Sequence, residues 1–347
     1  KVKEIRKRAI QSGLKLVDCP IRHLGTEKAQ EIYASIEDFL VEHGVDIMFG
    51  YTCEDIILEE NKCVGIRIKK TVGVSDETEI YGDDVIIATG RRGADWLEKL
   101  CAEHNIAHKP GTVDIGVRVE LPAVIFSHLT DELYESKIVY RTKQFEDNVR
   151  TFCMNPYGIV VSENTNGIVT VNGHSYEDPT KQTENTNFAL LVSKHFSEPF
   201  KDSNGYGESI ARLSNMLGGG VMVQRFGDLV RGRRSTVKRV EEGIVRPTLS
   251  ATPGDLSLVL PKRILDGIIE MIYALDKIAP GTANDDTLLY GVEVKFYNME
   301  VQLDEHLESI HKGLYIIGDG SGVTHSLSHA SASGVYVARE ILESMRK

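Results

Sequence analysis

Gly313-Leu-Tyr-Ile-Ile-Gly-Asp-Gly-Ser-Gly322, followed by Ala330-Ser-Ala-Ser-Gly334, is the stretch that decides the fold of this chain. Leu314 to Ile317 predicts a short buried strand, Gly318 to Gly322 a tight loop, and His329 to Met345 a helix. A strand that ends in Gly-Asp lets the backbone turn sharply and presents one carboxylate at its C-terminal end, where open α/β sheets bind ligands. That carboxylate can accept hydrogen bonds from sugar-like hydroxyls. The helix behind it aims unpaired N–H groups and a positive dipole end at whatever lies above. Ala330, Gly334 and Ala338 share one helix face, so a flat ring or another element can approach the backbone closely.

The same character appears upstream. Asp84-Val-Ile-Ile-Ala-Thr-Gly90 alternates too little for a half-exposed strand and is expected to be buried on both faces, as in a parallel sheet. Before it, Leu16 to Ile21 reads as extended. An amphipathic helix follows, with Thr26 as N-cap, Ala29, Ile32, Tyr33, Ile36, Phe39 and Leu40 at helical spacing, and Gly44 as its stop. Val45, Ile47 and Phe49 then alternate as a strand. Asp55 to Leu58 and Cys63 to Ile68 form a hairpin across Glu-Asn-Lys, and a third strand lies around Ile80 after the polar loop at Ser75–Glu77.

The middle of the chain has a different pattern. Val113, Ile115, Val117 and Val119 alternate with Asp114, Gly116, Arg118 and Glu120; Val292, Val294 and Phe296 alternate with Glu293, Lys295 and Tyr297. Ile159 to Ser162 and Ile168 to Val171 flank an Asn166-Gly167 turn. Helices run from about Glu208 to Leu217, stopped by Gly218-Gly219-Gly220, and from Lys262 to Ile278, stopped by Pro280-Gly281. This predicts an antiparallel sheet with helices, inserted between residues 1–112 and 301–347 as a second domain covering 113–300.

Composition bounds the function. The 347 residues are enough for two cores, and 41% apolar and 26% charged residues are ordinary for a soluble globular protein. A net charge of −11 argues against a general nucleic-acid binder. Cys19, Cys53, Cys63, Cys101 and Cys153 are scattered and never form C-x-x-C, which fits neither a disulfide framework nor a zinc site and points to a reducing, cytoplasmic setting. No apolar run is long enough for a membrane span. The sequence opens on Lys-Val-Lys-Glu-Ile-Arg-Lys-Arg, a charged helical stretch without an initiator Met, so it reads as a fragment of a longer protein.

Ile-Ile-Ala-Thr-Gly90 and Gly318-Asp-Gly-Ser-Gly322, in this order and separated by an antiparallel insertion, resemble the FAD-binding domain of two-dinucleotide-type flavoproteins. More closely, Arg22-His-Leu-Gly-Thr, Asp114-Ile-Gly-Val-Arg-Val-Glu, Leu289-Tyr-Gly-Val-Glu-Val-Lys-Phe-Tyr297 and Gly318-Asp-Gly-Ser-Gly-Val-Thr resemble a bacterial family of FAD-dependent, or NAD(FAD)-utilising, dehydrogenases. The resemblance implies an α/β fold: an FAD/NAD(P)-binding Rossmann-like domain, incomplete at its N-terminus, with an inserted α+β antiparallel-sheet substrate domain. It implies that Asp319 binds the ribityl chain and that Thr89, Gly90, Gly318, Gly320, Gly322, Val323 and Gly334 lie near the flavin. It also implies that Cys53 reaches adenine through its backbone. Two departures stand out. Relatives tend to have Cys-x-Cys-Pro-Gly-Gly where this chain has Cys153-Met-Asn-Pro-Tyr-Gly158, which puts a dithiol mechanism in doubt. The opening Gly-x-Gly-x-x-Gly that cradles pyrophosphate is absent, and Gly218-Gly219-Gly220 does not replace it, since it follows a helix and precedes Val-Met-Val.

The function implied is hydride transfer between flavin and a small organic substrate, with NAD(P)H as an optional co-substrate. His325 and His329, spaced i, i+4 beside the expected flavin, are the catalytic candidates; a capping or lining role and a metal-binding role compete, and no third ligand is visible for a metal. Arg233 and Arg234, within the basic run Arg231, Arg233, Arg234, Lys238, Arg239, are candidates for an anionic substrate or a nicotinamide phosphate, against the reading of a solvated face. Lys295 and Tyr297, with Glu293, line a cleft or an exposed strand surface. The alternatives are an RNA-modifying flavoprotein, supported only by the basic run, and a non-catalytic fragment that does not bind FAD alone.

Overall fold

The computed structural model describes residues 1–18, 26–73, 76–90, 93–109, 111–165, 167–176, 178–196, 202–297 and 299–346, with residues 26–28 described by backbone alone. In chain order the first elements are α1 (Val2–Gln11), β1 (Leu14–Leu16), α2 (Thr26–Glu42), β2 (Tyr51–Glu59), β3 (Lys62–Lys70), β4 (Glu77–Tyr81), β5 (Val85–Ile87), α3 (Ala94–Glu103) and β6 (His108–Lys109). Next come β7 (Thr112–Pro122), α4 (Ala123–Leu133), β8 (Ile138–Arg141), β9 (Asn148–Asn155), β10 (Ile159–Thr165), β11 (Ile168–His174) and β12 (Asn185–His195). The chain continues through α5 (Ser203–Gly218), β13 (Met222–Arg225), α6 (Phe226–Val230), α7 (Val237–Glu241), β14 (Thr252–Pro253) and α8 (Lys262–Asp276). It ends with β15 (Leu288–Phe296), β16 (Glu300–Val301), β17 (Leu314–Ile316) and α9 (Leu327–Ser344). No helix among the described residues is long and apolar enough to cross a membrane.

The fold is mixed α/β, and its residues separate into two compact units. The first unit, Lys1–Tyr33, Val113–Lys194 and Asn204–Lys295, is built on an eight-stranded mixed sheet in the order β1-β8-β9-β12-β7-β15-β13-β14. β7, β12 and β15 sit at its centre and are buried on both faces over most of their length. On α8, Ile264, Ile268, Met271, Ile272 and Leu275 repeat at helical spacing and are all buried. A Cβ on Gly267 would lie in van der Waals range of Val149, Thr142 and Val192, so α8 runs close to the sheet there. β10 and β11 form a separate hairpin whose turn includes Gly167; Asn166 is outside the described residues.

The second unit, Ala34–Thr112, His195–Ser203 and Phe296–Lys347, contains a three-stranded meander, β2-β3-β4, and a parallel pair, β5 and β17. Its core gathers Ile56, Cys63, Ile87, Leu97, Leu100, Cys101, Ile106, Met299, Val301, Leu314 and Ile316. Burial pushes the Cys101 thiol up to about 11, as expected for a small apolar packing residue rather than a nucleophile. Cys53, Cys63, Cys101 and Cys153 are all unpaired, and Cys19 lies outside the described residues.

Several expectations are corrected. Val45, Ile47 and Phe49 form no strand: a strand exists by pairing its backbone with a neighbour, and no described residue pairs with this stretch. Val45 instead spends its N–H on the Leu40 carbonyl (3.0 Å), closing α2 after Gly44, whose φ is +81°. The apolar residues Ile36, Phe39, Leu40 and Val41 of α2 are exposed. β5 is parallel to β17, but Ile86 is 44% exposed while Ile87 is buried, so one face alone is covered. The extended segment read at Leu16–Ile21 is β1, two residues earlier at its start, and residues 19–21 lie outside the described set, as does the side chain of Thr26. α5 starts at Ser203, a turn earlier than its periodicity indicates.

Candidate functional site

The C-terminal ends of β5 and β17 lie side by side. Val85 N–H donates to the Gly313 carbonyl (2.7 Å) and Ile317 N–H to the Ile87 carbonyl (2.9 Å), so both strands deliver their following loops to one edge. After β17 the backbone turns at Gly318, with φ 71° and ψ −170°, a conformation open in practice only to glycine. One short 3-10 turn, Asp319–Ser321, follows, and Gly322 closes it in the left-handed region. A Cβ on Gly320 would lie 3.1 Å from Gly90 N, Gly90 O and Thr89 Oγ1. A Cβ on Gly322 would lie 2.2 Å from the Met299 carbonyl oxygen. The backbone here is packed against backbone, and at Gly322 no larger residue fits.

Hydrogen bonds inside the loop fix it further. Ser321 Oγ donates to the Gly318 carbonyl (2.7 Å), Val323 N–H to Ser321 Oγ (3.2 Å), and Thr324 Oγ1 to Asp319 Oδ1 (3.0 Å). Gly318 N–H donates to Ser333 Oγ of α9 (3.2 Å), which ties the loop to the helix. Gly334 sits over Ile317 with room for an ordinary contact of 3.8 Å. α9 opens at Leu327, two residues before the expected start, because Ser326 caps it and accepts the His329 N–H (3.3 Å). His329 therefore does not open the helix; its side chain is exposed. His325 is exposed and meets the ring of Tyr297 edge-on, with centroids 5.1 Å apart.

The structure thus gathers Thr89, Gly90, Gly318, Asp319, Gly320, Gly322 and Val323 at one edge. Thr89 and Val323 are exposed there and Asp319 is half-buried. The Asp319 carboxylate and the exposed Thr89 hydroxyl suit a ligand rich in hydroxyls. Cys53 is on β2, in a different sheet, opposite Ile68 of β3, and burial raises its thiol above the ordinary value.

In the first unit the basic run is largely neutralised. Arg233 Nε donates to Asp228 Oδ1 (2.7 Å), Arg231 pairs with Asp285 (2.7 Å), Lys238 with Glu242 (3.7 Å) and Arg239 with Asp228 (3.8 Å). Burial works to raise the fully buried Asp228, yet hydrogen bonds from Arg233 and Ser235 bring it below its ordinary value. Arg234 alone is exposed without an ion pair among the described residues. The cleft read from Glu293, Lys295 and Tyr297 is corrected as well. β15 ends at Phe296, Tyr297 belongs to the other unit, and Glu293 is completely buried because Arg118 occupies both of its oxygens.

What the sequence reading missed is the row around Arg118. Arg118 on β7 donates from Nε and Nη2 to Glu293 on β15 (2.8 Å each) and from Nη1 to Asn187 Oδ1 on β12 (2.9 Å) and the Cys153 carbonyl (2.9 Å). Burial opposes the Arg118 cation, and the Glu293 carboxylate more than offsets it, so its pKa lies above the ordinary value. Next along β7, Glu120 accepts from Tyr290 (2.6 Å), Thr248 Oγ1 (2.5 Å) and Asn185 (3.1 Å), and burial holds its carboxyl above the ordinary range. The signal available was Asn185-Thr-Asn187, polar residues entering the apolar strand Phe188-Ala-Leu-Leu-Val192.

A protein of Clostridium beijerinckii is 28% identical over 342 residues, covering 92% of this chain and 62% of that protein, so the chain spans less than two thirds of this relative's length. Among solved structures, FAD-complexed glycerol-3-phosphate dehydrogenase from Bacillus halodurans aligns over 90% of this chain and 42% of its own, at 12% identity and a TM-score of 0.32. An oxidoreductase from Methanosarcina mazei aligns over 92% and 54%, at 13% identity and a TM-score of 0.32. The myxobacterial FAD-dependent halogenase CndH aligns over 88% and 48%, at 11% identity and a TM-score of 0.32. Residues 113–296, more than half of the chain, match one family model along their length. The chain belongs to the family described as FAD-dependent protein, C-terminal domain-like.

Proposed function

We propose that this chain forms part of a FAD-dependent oxidoreductase that passes a hydride between flavin and a small organic substrate or NAD(P)H. The observation that carries the reading is the meeting of Thr89–Gly90 with Gly318–Val323 at the ends of two parallel strands, beside the capped start of α9. Membership of a FAD-dependent family supports it. When bound, the flavin supplies a two-electron carrier. The chain's own residues then have separable tasks. Asp319, steadied by Thr324, accepts hydrogen bonds from the ribityl hydroxyls. Thr89 Oγ1 and the Gly90, Gly320 and Gly322 backbone line the cofactor's edge. Gly334 keeps α9 slim beneath it, and Val323 covers an apolar portion. His325, held edge-on to Tyr297, is the residue proposed to hold or move a substrate proton, with His329 on the next turn. Cys53 is proposed to contact adenine through its backbone.

The same proposal takes β5 and β17 as strands of a Rossmann-like sheet in a cofactor domain drawn from the expected 1–112 and 301–347, with 113–300 inserted as the substrate domain; residues 1–33, whose β1 pairs with β8, go with the inserted part instead. The family match at 113–296 supports that division. A cytoplasmic setting and a small-molecule substrate belong to this reading too. The RNA-modifying alternative loses its support, because four of the five basic side chains on which it rested are ion-paired. The test is an absorbance spectrum of the protein purified after incubation with FAD. Bound-flavin bands that survive gel filtration and bleach on anaerobic addition of a reductant are expected. A colourless protein that retains no FAD would sink the proposal.

A further inference from the structure

We propose that Lys295, backed by the buried Arg118–Glu293 pair, is the anchor of a site for a small carboxylate in the first unit. Two cations share one carboxylate there. Glu293 Oε1 accepts from Arg118 Nη2 (2.8 Å) and from Lys295 Nζ (3.2 Å), and Oε2 accepts from Arg118 Nε (2.8 Å). Arg118 and Glu293 are 0% exposed, whereas the Lys295 side chain is 11% exposed, so Lys295 is the member that a ligand can reach. Every N–H of Arg118 is taken, by Glu293, Asn187, Asn172 and the Cys153 carbonyl. Lys295 has three donors, and the described residues give it one acceptor.

A second observation is independent of the charges. Asn187, on β12 beside Arg118, accepts through Oδ1 from Arg118 (2.9 Å) and Asn155 (3.2 Å), while its Nδ2 is buried with no acceptor. Two donors aimed at Oδ1 forbid the flipped amide. A buried N–H group without a partner is costly to keep, and the natural remedy is an acceptor supplied from outside. The setting is also tightly built. Cys153 holds a φ of +46° where β9 bulges against β12, which turns its carbonyl onto Arg118 and Asn155. A Cβ on Gly173 of β11 would lie 2.2 Å from both Arg118 Nη1 and Asn187 Oδ1, so the hairpin backbone lies directly against the row. Unused donors on Lys295 and Asn187, with one of the two cations reachable, are the chemistry that recognises an anion with two acceptor oxygens.

Naming this carboxylate the substrate rests on the oxidoreductase reading; the site itself does not, and its test needs no flavin. The full chain, without added FAD, is titrated with malonate and, separately, with malonamide, using saturation-transfer NMR of the small molecule. Saturable malonate binding, absent for malonamide, is expected. It should weaken by on the order of tenfold or more in Lys295→Met, the scale of one charge-assisted hydrogen bond, and persist in Lys295→Arg. Far-UV circular dichroism and a cooperative melt report whether each variant is folded. Equal binding of malonate and malonamide, no saturable malonate binding by the parent chain, or an unchanged affinity in folded Lys295→Met overturns the proposal.

Discussion

Gly322 combines a positive φ of 72° with a Cβ position 2.2 Å from the Met299 carbonyl, so Gly322→Ala meets both a backbone and a packing penalty. Urea denaturation should register a loss of about 1–3 kcal/mol from the backbone strain alone, and unchanged stability would contradict the tight loop. Arg118→Leu leaves Glu293 buried with only Lys295 beside it, and a loss of about 3 kcal/mol or more is expected in the same measurement. At this scale the sequence disclosed the glycines and Asp319 because turn chemistry is local. It disclosed nothing about Arg118. A charged residue alternating with valines reads as a solvent-facing position, and only the neighbours Asn187 and Glu293, 69 and 175 residues away, reveal a buried row. Tyr297 was misread for a related reason: period-two spacing continues past Phe296, although the strand itself does not.

Among the elements, those with their partners in the described chain matched their periodicity. α8 is the clear case, with its apolar stripe buried on the sheet, and Met271→Ala should destabilise the protein by about 2–5 kcal/mol in chemical denaturation. α2 has an equally regular stripe, yet Ile36, Phe39, Leu40 and Val41 remain exposed, and residues 45–49 have strand spacing without a strand. Periodicity states which face wants cover, not what covers it. Between elements, Asp147 joins the start of β9 to Lys194 of β12 and Arg263 of α8. Hydrogen bonding to Arg263, together with Lys194, holds its carboxyl below the ordinary 3.8. Such a group stabilises the fold above that value and loses its contribution as pH falls through the lower, folded value. Asp147→Asn should therefore be less stable than the parent at neutral pH, and the gap in melting temperature should close as the pH drops below about 4. A gap that stays constant down to acid pH would show that the carboxylate does not matter.

For the whole molecule, the broad α/β character was legible, and the region read as an inserted antiparallel domain overlaps the part that matches the family. The central sheet holds eight strands, several of which the sequence did not announce. β8, β9, β12 and β13 lack clean alternation because β12 is buried on both faces and β9 is interrupted by its bulge at Cys153. Strand order was illegible for the same reason: β7 lies between β12 and β15, which are distant in sequence. In the proposed function, the Gly318–Val323 loop and Thr89–Gly90 hold the flavin end of FAD. That placement is tested most directly by titrating FAD fluorescence with the parent chain, with Asp319→Ala and with Arg234→Ala. Saturable binding to the parent is expected, unchanged in Arg234→Ala and weakened by about tenfold or more in Asp319→Ala, as befits the loss of hydrogen bonds to a charged acceptor. Equal affinity in Asp319→Ala and the parent, or no binding by the parent, would contradict it.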